Sequence, residues 1–236
     1  MQAILLCGGL GTRLRSVVSD RPKPLADIEG RPFMAYLCEE LVRQGIDEIV
    51  FAAGYLGEMI EECFGDGSRY GFSASYAFEK EALGTGGAIR NALPLVKREQ
   101  CFVLNADTYY RIRYAALLEL MEEKGLDMAL FTREVEDISR YGEVRLSDGL
   151  LSAWNEKREG RQGKGEINGG VYLLRRALME RIPEGKHSLE NELIPRWIQE
   201  GVRIGAKKAE GYFIDIGLPE SYRQFSEDVR EGRISQ

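Results

Sequence analysis

Short apolar runs alternate with helix-patterned segments through roughly the first 130 residues, and this alternation limits the possible folds more than any other feature of the chain. Ala3 to Cys7 carries no polar alternation and is stopped by Gly8-Gly9, so it predicts a strand buried on both faces. A helix is expected from Pro32 to about Arg43, with Phe33, Tyr36, Leu37 and Leu41 on one face and Gly45 as its stop. Further strands are expected at Ile46–Ala53, Phe72–Phe78, Cys101–Leu104 and Met128–Arg133. Helices are expected between them at Glu58–Phe64, Thr85–Leu93, where Pro94 bars simple continuation, and Tyr114–Lys124. The pattern implies an α/β fold with a mostly parallel central sheet, helices on both faces and right-handed crossovers. Ligands bind such sheets beyond the carboxyl ends of the strands, and Gly8 and Asp107 each follow one of those ends.

After Arg133 the pattern changes to short strand-like pieces at Gly142–Leu146, Leu150–Asn155 and Glu166–Leu174. A glycine-rich polar stretch from Arg158 to Gly165 lies between two of them, and helices near Leu189–Glu200 and Glu220–Val229 follow. With no linker-like tract and no internal repeat, 1–236 reads as one domain. Residues 1–133 would be a nucleotide-binding half and 134–236 a smaller mixed substrate-binding half on the same sheet.

The bulk properties exclude some functions. A net charge of -6 argues against a general nucleic-acid binder. No apolar run approaches the ~18–20 residues of a membrane span. The start Met1-Gln2-Ala3 leads straight into a strand without a basic n-region, so no signal peptide is expected. Cys7, Cys38, Cys63 and Cys101 show no metal-type pairing and read as reduced thiols.

Four constellations carry chemistry. Gly8-Gly9-Leu10-Gly11-Thr12-Arg13, followed by Pro22-Lys23-Pro24, combines backbone able to approach phosphate oxygens with a forked cation and a point charge held between prolines. It is neither a P-loop, lacking Gly-Lys-Ser/Thr, nor a dinucleotide fingerprint, whose third glycine position is Leu14 here. Glu79 to Ala88 places Gly84, Gly86 and Gly87 at a helix start, where exposed backbone groups are expected. Asp107 ends a strand and Asp215 lies in Tyr-Phe-Ile-Asp-Ile-Gly; two such carboxylates would suit Mg2+, which prefers one or two carboxylates with phosphate oxygens and waters. Glu156-Lys157 and Asn168-Gly169-Gly170 each adjoin a strand, and taken alone Glu156-Lys157 reads as an exposed ion pair. His187, the one histidine, reads as incidental, and Tyr109-Tyr110 as packing or pocket edge.

The glycine-rich stretch with Pro-Lys-Pro resembles the signature of the sugar nucleotidyltransferases, and the likeness extends over nearly the whole chain. Leu-Cys-Gly-Gly-Leu-Gly-Thr-Arg-Leu-Arg-Ser, Leu-Gly-Thr-Gly-Gly-Ala, Ile-Asn-Gly-Gly-Val-Tyr and Tyr-Phe-Ile-Asp-Ile-Gly are most similar to the D-glycero-α-D-manno-heptose 1-phosphate guanylyltransferase members. The resemblance implies a Rossmann-like, GT-A-like nucleotidyltransferase fold and a cytoplasmic enzyme joining a nucleoside triphosphate, GTP favoured, to a sugar 1-phosphate. It implies nucleotide binding by Leu6, Gly8, Gly9, Gly11, Thr12, Glu79, Gly84, Thr85 and Asp107, with Arg13 and Lys23 catalytic. It places Mg2+ on Asp107 and Asp215, although Asn105-Ala106-Asp107 departs from the family's common Asn-Gly-Asp. Sugar phosphate would meet Tyr141, Gly142, Glu156, Lys157, Asn168 and Gly169, with Gly169 leaving room for the ring.

Mannose-1-phosphate guanylyltransferases and glucose-1-phosphate uridylyl- or thymidylyltransferases are similar but more distant. A non-catalytic nucleotide-sugar sensor would be free to lose Arg13, Lys23 or a carboxylate, all of which are present. A glycosyltransferase of related fold would carry Asp-x-Asp where Asn105-Ala106-Asp107 stands. Neither nucleic acid nor membrane is expected as a partner, and the sequence leaves room for a homo-oligomer.

Overall fold

The computed structural model describes residues 1–9, 20–136, 138, 143–155 and 163–234, with the side chains of Glu143 and Asn155 outside that set. In chain order the elements begin with β1 (Gln2–Leu6), the two-residue strands β2 (Asp27–Ile28) and β3 (Arg31–Pro32), α1 (Phe33–Arg43) and β4 (Glu48–Ala53). Next come α2 (Gly57–Phe64), β5 (Ser73–Phe78), α3 (Gly84–Ala92), β6 (Gln100–Asn105) and β7 (Thr108–Arg111). They are followed by α4 (Ala115–Lys124), β8 (Met128–Val135), β9 (Glu143–Ser147), β10 (Leu150–Asn155) and β11 (Gly165–Arg175). The chain continues through α5 (Arg176–Glu180), α6 (Ile194–Gln199), β12 (Ile204–Lys208), β13 (Tyr212–Asp215) and α7 (Pro219–Arg230).

The main sheet has nine strands in the order β5-β4-β1-β6-β11-β8-β12-β10-β9. Strands β1, β4, β5 and β6 pair in parallel, as do β8 and β12. Strand β11 runs against both β6 and β8, and β10 runs against β12 and β9. Seven of the nine strands therefore point one way, as the alternating pattern led us to expect. Because β11 inserts between β6 and β8, the early and late parts of the chain share one sheet.

Apolar runs without alternation bury both faces of that sheet. Ala3 and Leu5 pack on one face with Phe33, Leu37 and Leu117, while Ile4 packs on the other with Val103, Leu174 and Trp197. Full burial of a Val, Leu, Ile or Phe side chain contributes roughly 1.5–3 kcal/mol. A second small sheet pairs β7 with β13 in antiparallel register. It is held down by Phe225 of α7, whose ring meets those of Phe33, Tyr36, Tyr109 and Tyr212. Tyr109 and Tyr110 are thus buried packing residues.

The sequence pattern missed β7, β12 and β13, which are short and carry exposed or aromatic residues. The helix expected over Leu189–Glu200 is two pieces: a wide turn at Leu189–Leu193, capped by the Ser188 side chain, and then α6. Pro195 lies in the first turn of α6, where its missing N–H costs nothing. Among the described residues, no helix is long and apolar enough to cross a membrane.

Candidate active site

Pairing of β7 with β13 brings together two carboxylates that are far apart in the chain. Asp107 sits in the turn between β6 and β7, and Asp215 ends β13 opposite Thr108. The Ile216 N–H donates to the Asp107 carbonyl at 3.0 Å, which locks the junction. Lys23 opens a short helical turn between Pro22 and Pro24, whose fixed φ angles leave the backbone little freedom. Its Nζ lies 2.6 Å from Asp107 Oδ2 and 3.4 Å from Asp215 Oδ1.

The Lys23 side chain is only 12% exposed, so its ammonium needs compensating charge, and the two carboxylates supply it. Burial raises the Asp215 pKa above the usual carboxylate range, and the charge of Asp107 pushes it the same way. Lys23 and the Gly217 N–H, which donates to Asp215 Oδ1 at 2.7 Å, oppose that shift. Gly217 has to be small: a Cβ there would lie 2.9 Å from Asp215 Oδ1 and 3.1 Å from Lys23 Nζ. Ala106 is fully buried in the core, so its methyl group is accommodated by packing on the side away from solvent.

These residues line a cleft of about 650 Å3 at the carboxyl ends of β1 and β6, a volume suited to a small-molecule ligand. Leu6, Gly8, Gly9, Glu79, Gly84 and Thr85 line it too, so the structure gathers the described nucleotide-side candidates into one place. Glu79 lies across Gly8, where a Cβ would come within 2.9 Å of Glu79 Oε1. Gly54 crowds Gly8 from behind, with a Cβ position 2.9 Å from the Gly8 Cα. Gly8 therefore makes room for protein atoms, whereas among the described residues nothing lies within 4 Å of a Cβ on Gly9. Desolvation raises the Glu79 pKa, countered by the Leu83 N–H donating to Oε2 at 3.0 Å.

The glycines at the start of α3 act differently from expectation. The N–H groups of Gly86 and Gly87 do not face a ligand; both donate to the His187 carbonyl, at 2.9 and 3.2 Å. The His187 N–H donates back to the Leu83 carbonyl at 2.8 Å. A Cβ on Gly84 would meet the His187 carbonyl oxygen at 2.6 Å, and one on Gly87 the Gly185 oxygen at 2.2 Å. The helix start is thus built to receive the chain around Gly185–Leu193. The Thr85 hydroxyl accepts from the Leu189 N–H at 2.8 Å and donates to Glu190. His187, expected to be incidental, matters through its backbone, while its ring pairs with Glu192 at 3.0 Å.

On β11, the Asn168 Oδ1 accepts from the Gly170 N–H at 2.9 Å, and its Nδ2 donates to the Tyr172 hydroxyl. Gly169 was expected to leave room for a sugar ring. Its missing Cβ instead points at the Tyr110 ring, 2.9 Å away, and the Phe131 carbonyl, 3.1 Å away. Packing, through the irregularity in register between Asn168 and Tyr172, accounts for this glycine. Gly11, Thr12, Arg13, Tyr141, Gly142, Glu156 and Lys157 lie outside the described residues. Sequence reasoning overlooked Lys186, on the cleft wall beside His187, and Gly54, which packs against Gly8. The Glu190 carboxylate, tied to Thr85 and Tyr172, also carried no motif of its own.

Asp107 and Asp215 fit a hard divalent cation, which takes oxygen ligands and leaves positions for phosphate and water. Among the described residues no group of three or more His, Cys, Asp or Glu forms a closed protein cage. Two carboxylates in an open cleft suit a cation shared with a substrate.

The chain is 38% identical to the D-glycero-alpha-D-manno-heptose 1-phosphate guanylyltransferase of Aneurinibacillus thermoaerophilus, covering 98% of this chain and 99% of that protein. It is 41% identical to the enzyme of the same name from Campylobacter jejuni, covering 95% and 98% respectively. The crystal structure of HddC from Yersinia pseudotuberculosis complexed with GMP-PN superposes with a TM-score of 0.85 at 36% identity, covering 97% of this chain and 99% of that one. Residues 2–232 match the family described as Nucleotidyl transferase. The chain belongs to the nucleotidyl transferase family of enzymes.

Proposed function

We propose that this enzyme transfers GMP from GTP to D-glycero-α-D-manno-heptose 1-phosphate, giving a GDP-sugar and pyrophosphate. The observation that carries the reading is Lys23 held between Asp107 and Asp215 in a cleft whose other wall holds Glu79 and the start of α3. The names of the relatives in A. thermoaerophilus and C. jejuni, and the GMP-PN held by HddC, support the choice of guanine and heptose.

The sugar phosphate oxygen is already ionised at neutral pH, so the reaction needs positive charge and alignment more than a base. Asp107 and Asp215 would hold Mg2+, which supplies charge neutralisation at the α-phosphate when bound. Lys23 sits where an ammonium can bridge the α-phosphate and the incoming sugar phosphate as they approach. Arg13, in the proposal, takes the charge that develops on departing pyrophosphate, and the backbone of Gly8, Gly9, Gly11 and Thr12 holds the triphosphate. Glu79 keeps Oε1 for a guanine donor while Oε2 accepts from the Leu83 N–H. Tyr141, Gly142, Glu156, Lys157, Asn168 and Gly169 form the sugar-phosphate side, Gly169 by shaping the strand. In this reading 1–133 and 134–236 are two halves of one catalytic unit. The enzyme works in the cytoplasm, where GTP is available, and supplies an activated sugar for a cell-surface glycan.

Isotope partition tests the reaction class. With GTP labelled at the α-phosphorus, the label should enter the nucleotide sugar; with label at the γ-phosphorus, it should leave entirely in pyrophosphate. Label from the γ position in the sugar product would mean phosphoryl transfer and would overturn the reading.

A further inference from the structure

Glu190 joins α3, whose Thr85 lines the cleft, to β11. One carboxylate oxygen, Oε2, accepts from the hydroxyl of Thr85 in α3. The other, Oε1, accepts from the Tyr172 hydroxyl of β11 at 2.9 Å. Tyr172 in turn accepts from Asn168 Nδ2, and Thr85 accepts from the Leu189 N–H at 2.8 Å. Every donor in this chain points toward a single anion. Such a network has only one consistent proton arrangement as long as its terminal acceptor cannot donate.

That arrangement determines how Asn168 is presented. Tyr172 donates its one proton to Glu190, so its lone pair faces Asn168, which must offer Nδ2. The Gly170 N–H, donating to Asn168 Oδ1 at 2.9 Å, enforces the same amide orientation from the other side. Among the described residues, one N–H and one lone pair of the amide then remain, a donor and an acceptor that suit the hydroxyls of a sugar. We propose that Glu190 is a positioning residue for the sugar phosphate: through Tyr172 it holds the Asn168 amide in one orientation, and through Thr85 it ties that amide to the nucleotide-side helix. The proposal rests on the reading of this cleft as a sugar-1-phosphate site.

Steady-state kinetics with MgGTP and D-glycero-α-D-manno-heptose 1-phosphate test it, using Glu190→Gln and Tyr172→Phe. In Glu190→Gln the new amide must present an N–H to a hydroxyl that now donates, that of Tyr172, of Thr85 or, at 3.5 Å, of Ser188, so a link of the chain reverses. Tyr172→Phe removes the link to Asn168 and leaves Thr85 with Glu190. Both variants should raise KM for the sugar phosphate about tenfold, equivalent to about 1.4 kcal/mol, with kcat falling less than about threefold. In Tyr172→Phe, KM for GTP and the unfolding temperature should stay at wild-type values, which separates positioning from damage to the fold. If Glu190→Gln does not fold, Tyr172→Phe alone decides. A sugar-phosphate KM within twofold of wild type in Tyr172→Phe would overturn the proposal. Equal losses toward both substrates together with a lowered unfolding temperature would also overturn it, leaving Glu190 a structural role. A wild-type protein that releases no pyrophosphate with this sugar phosphate would remove the underlying reading, and the proposal with it.

Discussion

The ammonium of Lys23 lies 2.6 Å from Oδ2 of Asp107; Asp107 stands in the turn after β6, and Lys23 in a helical turn between two prolines. Asp215, at 3.4 Å, completes a site in which one cation serves two anions. Removing the cation leaves two carboxylates facing each other and takes away the charge that would bring two phosphates together. Lys23→Ala should therefore lower kcat/KM by about 10²–10³, the scale seen when a preorganised donor to a developing anion is lost. Circular dichroism should show the fold retained. Near-normal turnover in the variant would contradict this role.

Glu79 sets stability against function. Its pKa is raised by burial, so the folded protein binds that proton more tightly than the unfolded chain does. Ionised Glu79 thus costs stability above its folded pKa, and the cost disappears as pH falls through that value. Glu79→Gln keeps an acceptor for the Leu83 N–H and removes the charge. It should raise the unfolding temperature at pH 7, with the gain shrinking in acid, while weakening GTP binding. Calorimetry across pH, with nucleotide titration at pH 7, checks both halves.

Gly217→Ala would place a methyl group 2.9 Å from Asp215 Oδ1, so the carboxylate or the backbone beneath it must move. Misplacement by a fraction of an ångström at a reacting centre is costly, and a full ångström costs up to about 10² in rate. A loss of at least about tenfold in kcat is expected, with the unfolding temperature little changed. Stopped-flow turnover and a thermal melt give the two numbers; unchanged kcat would show that Asp215 has slack.

Gly87→Ala tests the docking of the chain around Gly185–Leu193. The new Cβ would meet the Gly185 carbonyl oxygen at 2.2 Å, and backbone cannot yield as a flexible side chain can. Destabilisation of about 1–3 kcal/mol is expected, the range for overpacked sites. Hydrogen exchange should accelerate at the amides of Gly86, Gly87 and His187. Unchanged exchange at those amides would mean that the His187 clamp is dispensable.

Strands such as Ala3 to Cys7 were legible because burial on both sheet faces demands unbroken apolar runs, and β1 meets that demand residue by residue. Lys23, Glu79, Asp107 and Asp215 were legible through motif resemblance, and the cleft does gather them. What draws Asp215 to Asp107 was not legible: β7 and β13 are four residues each, and their pairing has no local spacing. The same holds for α3. Gly86 and Gly87 looked like part of a ligand-facing start because a glycine shows freedom but not what fills it. The filler, the backbone of Gly185 and His187, lies about a hundred residues further along the chain. Glu190 stayed hidden for a related reason, since one glutamate on a polar turn has no pattern until Thr85 and Tyr172 converge on it.

Guanylyl transfer to a heptose 1-phosphate is tested most directly by Mg2+-dependent pyrophosphate release. GTP, UTP, dTTP, CTP and ATP would each be paired with heptose, mannose and glucose 1-phosphates. Release should be strong with GTP and D-glycero-α-D-manno-heptose 1-phosphate and weak with every other pair. Preferential release with a mannose or glucose phosphate, or with another base, would contradict the assignment of substrates. No release with any pair, from folded protein that still binds nucleotide, would contradict catalysis itself.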